Sequence, residues 1–184
     1  NILITSDLKL EKKESKIIIK LTPGLGFGTG HHPTTKMMLE QLENHNLTNK
    51  EVLDFGCGSG ILSIAAKMLG AKSILAIDID ELSIKSAKEN IKNSEVIEIE
   101  LYKQSIEDLS RKLIFDMILA NISSNVISKS AIEIYERLKK DGLLICSGIL
   151  TKDSLKIKKD MSSLDFSLLK EEIQGDWACL IFKK

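Results

Sequence analysis

Cysteine is scarce and scattered: Cys57, Cys146 and Cys179 lie far apart, with no C-x-x-C pair. An odd, dispersed set argues against a disulfide framework and a cysteine zinc site, and reads as buried thiols in a reducing compartment. Net charge is missing too, since 26 Lys and Arg balance 26 Asp and Glu. That balance argues against a nucleic-acid footprint spread over the whole domain and leaves room only for a local patch. No apolar run reaches eighteen residues, so nothing reads as membrane-spanning. No apolar leader stands at the start, and the first residue is Asn1 rather than Met, which reads as a trimmed chain. Proline is down to two residues, Pro23 and Pro33, both in one segment. What remains is 184 residues, 43% hydrophobic and 28% charged, the balance of one folded cytoplasmic domain. A chain of that length buries enough surface to fold without disulfides or structural metals.

The residue pattern alternates between two periods. Residues 16–21, KIIIKL, form a β-branched run that reads as a strand, preceded by the charged stretch KLEKKES, a linker or hairpin tip. Residues 22–35, TPGLGFGTGHHPTT, hold four of the eleven glycines and both prolines, and so read as a shaped loop. Thr34 and Thr35 open a helical pattern in which Met37, Met38, Leu39 and Leu42 recur as core positions. From there strands are expected at 52–55, 73–78, 96–102, 115–121 and 143–149, with helices at 61–69, 81–92, 125–139 and 152–161. Gly70 reads as a residue closing the first of these helices, and KKDG (139–142) as a turn. Two final strands, 165–173 and 177–183, are close enough to pair as an antiparallel hairpin. Alternating strands and helices imply right-handed crossovers and a mainly parallel sheet, an α/β Rossmann-like fold with an antiparallel edge. Ligands of such sheets bind outside the carboxyl ends of the strands.

One of those ends carries the strongest local signal. Asp54-Phe55-Gly56-Cys57-Gly58-Ser59-Gly60 follows a strand directly and precedes a helix directly. Alternate glycines let the backbone turn sharply and approach a ligand that a Cβ would exclude. A dinucleotide fingerprint would place its third glycine on Ile61, whereas here it falls on Gly60, and no Lys-Ser/Thr follows to make a phosphate loop. Asp54, just before the turn, suits a cationic ligand better than a pyrophosphate. Asp78 ends the next strand 18 residues beyond Gly60, where a carboxylate can accept both hydroxyls of a ribose. Asp80 reads as the N-cap of the helix that Glu81 opens.

This pairing resembles the glycine motif and ribose acid of class I S-adenosylmethionine-dependent methyltransferases, over residues 51 to about 183. The resemblance implies a seven-stranded sheet, mostly parallel, with the terminal hairpin that separates this fold from dehydrogenases. PGLGFGTGHHPTT (23–35), DFGCGSGILSIAA, AIDID, Ala120-Asn121-Ile122 and GDWACLI narrow it further. Together they resemble the bacterial methyltransferases acting on large-subunit ribosomal protein 11, with His31 standing where that family usually has Thr. The resemblance implies that Thr35, Gly56, Asp78 and Asn121 contact S-adenosyl-L-methionine, with Gly58 lining the same turn. Phe27 would shelter the methylsulfonium, and Gly28, Thr29 and Gly30 would form a flexible flap over it. His32 has two readings, a base or a loop histidine bonded to backbone; no second ligand lies near His31 or His32, so no metal is expected.

Asn121 also has two readings, a helix cap or the residue that orients an acceptor amine. Ser123 and Ser124 stand nearer to the cap position, which favours the second. The function implied is methyl transfer to amino groups, lysine side chains or an N-terminal amine, of ribosomal protein 11 or a related protein. The alternative acceptor is a nucleic-acid base or a small molecule. Against it stand the balanced charge and Ile122, where a base-stacking N-P-P-Y tetrapeptide would need proline. A scaffold without activity and a nicotinamide dehydrogenase are the remaining readings, the last disfavoured by the glycine spacing. The expected protein is a monomer with a ribosomal protein partner, no membrane contact and no direct nucleic-acid binding. Residues 1–20 are read as linker and leading strand, and 21–184 as the catalytic domain. The family normally has a further N-terminal substrate-recruiting domain, so the chain reads either as truncated or as a shortened homologue. Alone, it is expected to bind cofactor well and to methylate poorly.

Overall fold

Four apolar runs, VLDF, SILAID, FDMILAN and LLICSGI, become neighbouring parallel strands in the computed structural model, which describes residues 2–7, 17–22 and 32–184. In chain order the elements are β1 (Ile2–Thr5), β2 (Ile17–Lys20), α1 (Pro33–Glu43), β3 (Glu51–Phe55), α2 (Ile61–Met68), β4 (Ser73–Asp78) and α3 (Glu81–Asn93). Then follow β5 (Ile99–Lys103), β6 (Phe115–Asn121), α4 (Ser124–Lys129), α5 (Ala131–Arg137), β7 (Leu138–Leu150), α6 (Thr151–Ser162), β8 (Ser167–Gln174) and β9 (Trp177–Lys183). The main sheet has the order β5-β4-β3-β6-β7-β9-β8. Strand β9 runs antiparallel to both β7 and β8, and every other pairing in that sheet is parallel. This is the mostly parallel α/β sheet with an antiparallel edge that the pattern implied, with the seven strands and terminal hairpin that the resemblance implied.

Burial on both faces explains why the central strands read as continuous apolar runs. Val52, Met117, Leu119 and Ile145 pack on one face with Met37, Met38 and Leu42 of α1 and Ile64 of α2. Their chain neighbours Leu53, Ile118, Ala120 and Leu144 pack on the other with Ile127, Ile134 and Ile157. Successive side chains therefore feed two helical layers, and the methionines of α1 are core. The three cysteines are buried free thiols.

Several boundaries differ from the sequence pattern. The alternating run 96–102 becomes a strand only from Ile99, because Glu95 (φ 57°) and Glu98 (φ 61°) hold the preceding residues in a turn. The helix expected at 125–139 is two helices broken at Ser130, whose hydroxyl donates to Glu107 Oε1 at 3.0 Å. The KKDG turn is absorbed into β7 as a bulge: Phe115 pairs with Leu138 but Met117 with Leu143, and Asp141 takes φ 63°. Strand β1, which no pattern announced, pairs with β2 in parallel, not in the antiparallel way of a hairpin. The segment KLEKKES itself lies outside the described residues. Among the described residues no helix is long and apolar enough to cross a membrane.

Candidate functional site

The carboxyl ends of β3, β4, β6 and β7 open into one cleft of about 690 Å³. That falls in the roughly 300–1,000 Å³ range of small-molecule sites. Its floor is the glycine turn between β3 and α2. Gly56 has φ +75°, and a Cβ there would stand 2.3 Å from Ile122 Cγ2. Gly148 in β7 has φ +76°, and its Cβ would meet the Ile122 carbonyl oxygen at 2.5 Å. Ile122 is thus held between two positions that tolerate no side chain, which lets the loop after β6 sit close against the turn.

Backbone bonds hold the turn in shape. The Gly56 and Cys57 amides both donate to the Ile77 carbonyl, at 2.9 and 3.0 Å, and the Gly60 amide donates to Cys57 O at 2.8 Å. The Gly58 amide donates to Asp78 Oδ2 at 2.9 Å, while the Asp80 amide donates to Asp78 Oδ1 at 2.9 Å. Each Asp78 oxygen keeps room for a second hydrogen bond, so the carboxylate can support the turn and take a ligand's hydroxyls together. Asp80 caps α3 by accepting from the Ser83 amide at 2.9 Å, as expected.

Of the six residues singled out from sequence, Thr35, Gly56, Gly58, Asp78 and Asn121 all line this cleft. Phe27 lies outside the described residues, with Gly28, Thr29, Gly30 and His31. Thr35 is buried at the start of α1, and Asn121 Nδ2 donates to its hydroxyl at 3.3 Å across 86 residues of chain. That leaves the carbonyl Oδ1 as the accepting end of Asn121. Ser123, the first residue before α4, makes no side-chain cap bond, and Ser124 Oγ donates to Asp153 Oδ2 at 2.9 Å. His32 is the N-cap of α1: its Nδ1 accepts from the Thr34 amide and lies 2.8 Å from Thr34 Oγ1. Its ring meets Trp177 edge-on at 4.9 Å, so the loop-histidine reading is the one its surroundings support.

Two expectations need correction or extension. Asp54 does not face the cleft toward a cation: it is fully buried, and Oδ2 accepts from the Ser63 amide at 3.1 Å and from Ser63 Oγ. Burial pushes its carboxyl up to about 6, against the lowering effect of the Ser63 bonds. Trp177, Gln104, Ser105 and Gly148 line the cleft without having been assigned a place there. Trp177 arrives through the antiparallel pairing of β9 with β7, and only the GDWACLI stretch hinted at it. Burial, with the carboxylates Asp54 and Asp78 nearby, drives the Cys57 thiol far above its ordinary range, so it is no nucleophile. Among the described residues no cluster of three or more His, Cys, Asp or Glu side chains is gathered as metal ligands would be.

The model of the family Ribosomal protein L11 methyltransferase (PrmA) matches residues 1–184. The ribosomal protein L11 methyltransferase of Listeria monocytogenes serotype 1/2a (strain 10403S) is 40% identical over 172 residues, 92% of this chain and 54% of that protein. The protein of the same name from Bacillus pumilus (strain SAFR-032) is 40% identical over 171 residues, with the same coverage of 92% and 54%. The chain therefore spans about half the length of the curated relatives it matches. The crystal structure of ribosomal protein L11 methylase from Lactobacillus delbrueckii subsp. bulgaricus superposes with a TM-score of 0.89 at 34% identity. It covers 98% of this chain and 92% of that one.

Proposed function

The chain belongs to the ribosomal protein L11 methyltransferase family, and from that premise we propose that its cleft transfers methyl groups to amino groups of ribosomal protein L11, with lysine side chains as acceptors. Residues 21–184 act as the catalytic domain, and 1–20 as a linker with its leading strand. The cofactor is S-adenosyl-L-methionine. When bound, it supplies a methyl group already activated by its sulfonium, so the protein has only to align the acceptor and exclude water. The residues present suit it: Gly56, where a Cβ would strike Ile122, and Gly58, at φ 52°, keep the turn free of side chains, and Asp78 offers a carboxylate to the ribose hydroxyls. Phe27 is assigned to sheltering the methyl-bearing end on the family resemblance alone.

The observation that carries the acceptor chemistry is the Asn121–Thr35 pair inside the same cleft as Asp78 and the glycine turn. Thr35 fixes the amide nitrogen, which leaves Asn121 Oδ1 to accept a hydrogen from the incoming amine. A lysine of pKa near 10.4 is only about 0.1% neutral at pH 7.4, so presenting the free amine costs roughly 4 kcal/mol. The apolar walls from Phe55, Ile122, Val126 and Trp177 lower that cost by disfavouring the ammonium. We place the protein in the cytoplasm, as a monomer that meets its substrate without binding nucleic acid.

Mass spectrometry of ribosomal protein L11 after incubation with the chain and isotope-labelled cofactor tests this reading. Labelled lysine is the expected product. Asn121→Ala is expected to lower transfer on the order of a hundredfold while leaving cofactor Kd within about threefold. Label appearing in ribosomal RNA and not in L11 overturns the acceptor, and unchanged turnover in Asn121→Ala overturns the role of that residue.

A further inference from the structure

Helix α3 presents an unusual buried face. Its buried residues are Ser86, Ala87 and Asn90, two of them polar, although the face lies against the protein interior. Ala87 packs with Cys57 and Ala76, which sets the helix directly behind the glycine turn. Asn90 is only 1% exposed. Burying an amide costs roughly 1–3 kcal/mol unless its hydrogen bonds are replaced. Here they are replaced at both ends, by backbone groups distant in sequence. Nδ2 donates to the Ser59 carbonyl at 2.9 Å, and Oδ1 accepts from the Thr22 amide at 2.8 Å.

Each partner belongs to a larger fixture. The Ser59–Gly60 peptide is held at its other end by the Gly60 amide, which donates to Cys57 O at 2.8 Å. With Asn90 on the carbonyl, the plane of that peptide has no freedom to rotate. Ser59 also lines the cleft, so the tilt of this peptide shapes the surface a ligand meets. On the opposite side, Lys20–Thr22 is the strap by which β2 leaves the small sheet. Thr22 Oγ1 donates to Glu89 Oε1 at 3.1 Å and accepts from Asn93 Nδ2 at 3.0 Å. The Lys20 amide donates to Ser94 Oγ at 3.1 Å, and that hydroxyl returns a bond to Lys20 O at 3.3 Å. Five side-chain bonds, Asn90 included, thus tie the strap to the last turns of α3 and its C-cap. Asn90 is the one side chain of that set which also reaches the turn.

We propose that Asn90 is a positioning residue for the cofactor: it joins the strap Lys20–Thr22 to the Ser59 carbonyl, and the attachment of the strap to α3 thereby sets the affinity of the glycine turn. This rests on the assignment of the cleft to S-adenosyl-L-methionine. A core residue with a purely structural part would be served as well by any side chain of similar volume. Asn90 differs because its Nδ2 orients one peptide of the binding surface while its Oδ1 ties that peptide to the strap at Thr22. It does not touch the ligand itself.

Titration calorimetry of the chain with S-adenosylhomocysteine separates these roles, at a temperature where circular dichroism shows each variant fully folded. Asn90→Ala removes both bonds and is expected to weaken Kd about tenfold to thirtyfold, the loss of one or two buried hydrogen bonds. Asn90→Asp keeps the shape and the acceptor for Thr22 but turns a carboxylate toward the Ser59 carbonyl, with an expected loss of about tenfold. Ser94→Ala loosens the strap without touching the turn, and about a threefold loss is expected. Should Asn90→Ala fail to fold, the isosteric Asn90→Asp and the remote Ser94→Ala still decide. Folded Asn90 variants that bind within twofold of the unaltered chain overturn the proposal. An unchanged Kd in Ser94→Ala beside a weakened one in Asn90→Asp overturns the part given to the strap. A chain that binds no S-adenosylhomocysteine before any substitution overturns the cofactor assignment instead.

Discussion

The two ends of the same parallel strands are held by different forces. At the carboxyl ends, shape comes from hydrogen bonds made to the backbone and from close approach: Gly56 and Gly148 against Ile122, Asp78 on the Gly58 amide, Asn90 on the Ser59 carbonyl. At the amino ends, side-chain ion pairs stitch the strands. Lys139 Nζ lies 3.0 Å from both Glu51 Oε2 and Asp116 Oδ2, Lys72 Nζ lies 3.0 Å from Glu51 Oε1, and Lys50 lies 3.8 Å from Asp116. Backbone bonds fix positions to fractions of an ångström in a water-poor setting. Ion pairs among partly exposed side chains tolerate movement and are weakened by salt. The contrast shows where this fold spends its precision: on the end that receives a ligand.

The comparison is tested most severely at Gly148. Alanine there would need a left-handed backbone and a Cβ 2.5 Å from a backbone oxygen that no rotamer change can move. We expect Gly148→Ala to cost roughly 2–4 kcal/mol in urea unfolding, the sum of strain and overpacking, and to abolish cofactor binding. Near-native stability with full affinity would show that the loop after β6 is free to shift and that its precision is illusory.

The turn was legible in sequence because all its determinants are local: a strand, alternate glycines, a helix and an acid one strand later. Asp78 and Asn121 were legible for the same reason, as residues at strand ends. Thr35 came from the family resemblance, and its contact with Asn121 spans 86 residues. Gly148, Trp177 and Asn90 were missed because each acquires its place by non-local contact. Gly148 meets the backbone of Ile122, Trp177 enters by antiparallel pairing, and Asn90 joins residues 31 and 68 positions away. Asp54 was misread because strand periodicity does not reveal that its side chain turns back onto the first turn of α2, to Ser63. The break at Ser130 and the bulge at Asp141 were hidden for a related reason, since both keep the local apolar spacing intact.

Asp54 gives an intermediate effect with a defined sign. Burial first, and the nearby Asp78 charge in addition, raise its carboxyl from 3.8 to about 6 in the folded protein, while its Ser63 bonds pull the other way. Between those values the folded state holds a proton that the unfolded chain has released. The contribution of Asp54 to stability is therefore present below about pH 4 and lost as the pH rises through about 6. Asp54→Asn keeps an acceptor for Ser63 and removes the titration. The stability of the unaltered chain minus that of Asp54→Asn is expected to fall by on the order of 2 kcal/mol from pH 4.5 to 7. A difference that stays flat or rises over that window would mean that Asp54 is solvated or paired at the turn.

The smallest effect is expected at the opposite end. Lys139→Met keeps the apolar stem and removes the charge between Glu51 and Asp116. Neither carboxylate is then left alone, because Lys72 remains on Glu51 and Lys50 on Asp116. The cost is expected to be about 0.5–1 kcal/mol at low ionic strength, most of it gone in molar salt. The bonds to Lys139 and Lys72 lower the Glu51 carboxyl; backbone and Lys139 bonds lower that of Asp116 against the cost of its burial. Their stabilisation is present above the unfolded carboxylate range and lost as the pH falls through the lowered folded values. The two proteins should therefore converge in stability at acid pH. Cofactor affinity should not change at all, because no bond of this network reaches the turn or the cleft. A severalfold change in Kd for S-adenosylhomocysteine in Lys139→Met would mean that strain at the amino ends travels along β3 and β6 to Gly56 and Asn121. The two ends would then be one mechanical unit, and the precision at the glycine turn would depend on the ion pairs as well as on its own backbone.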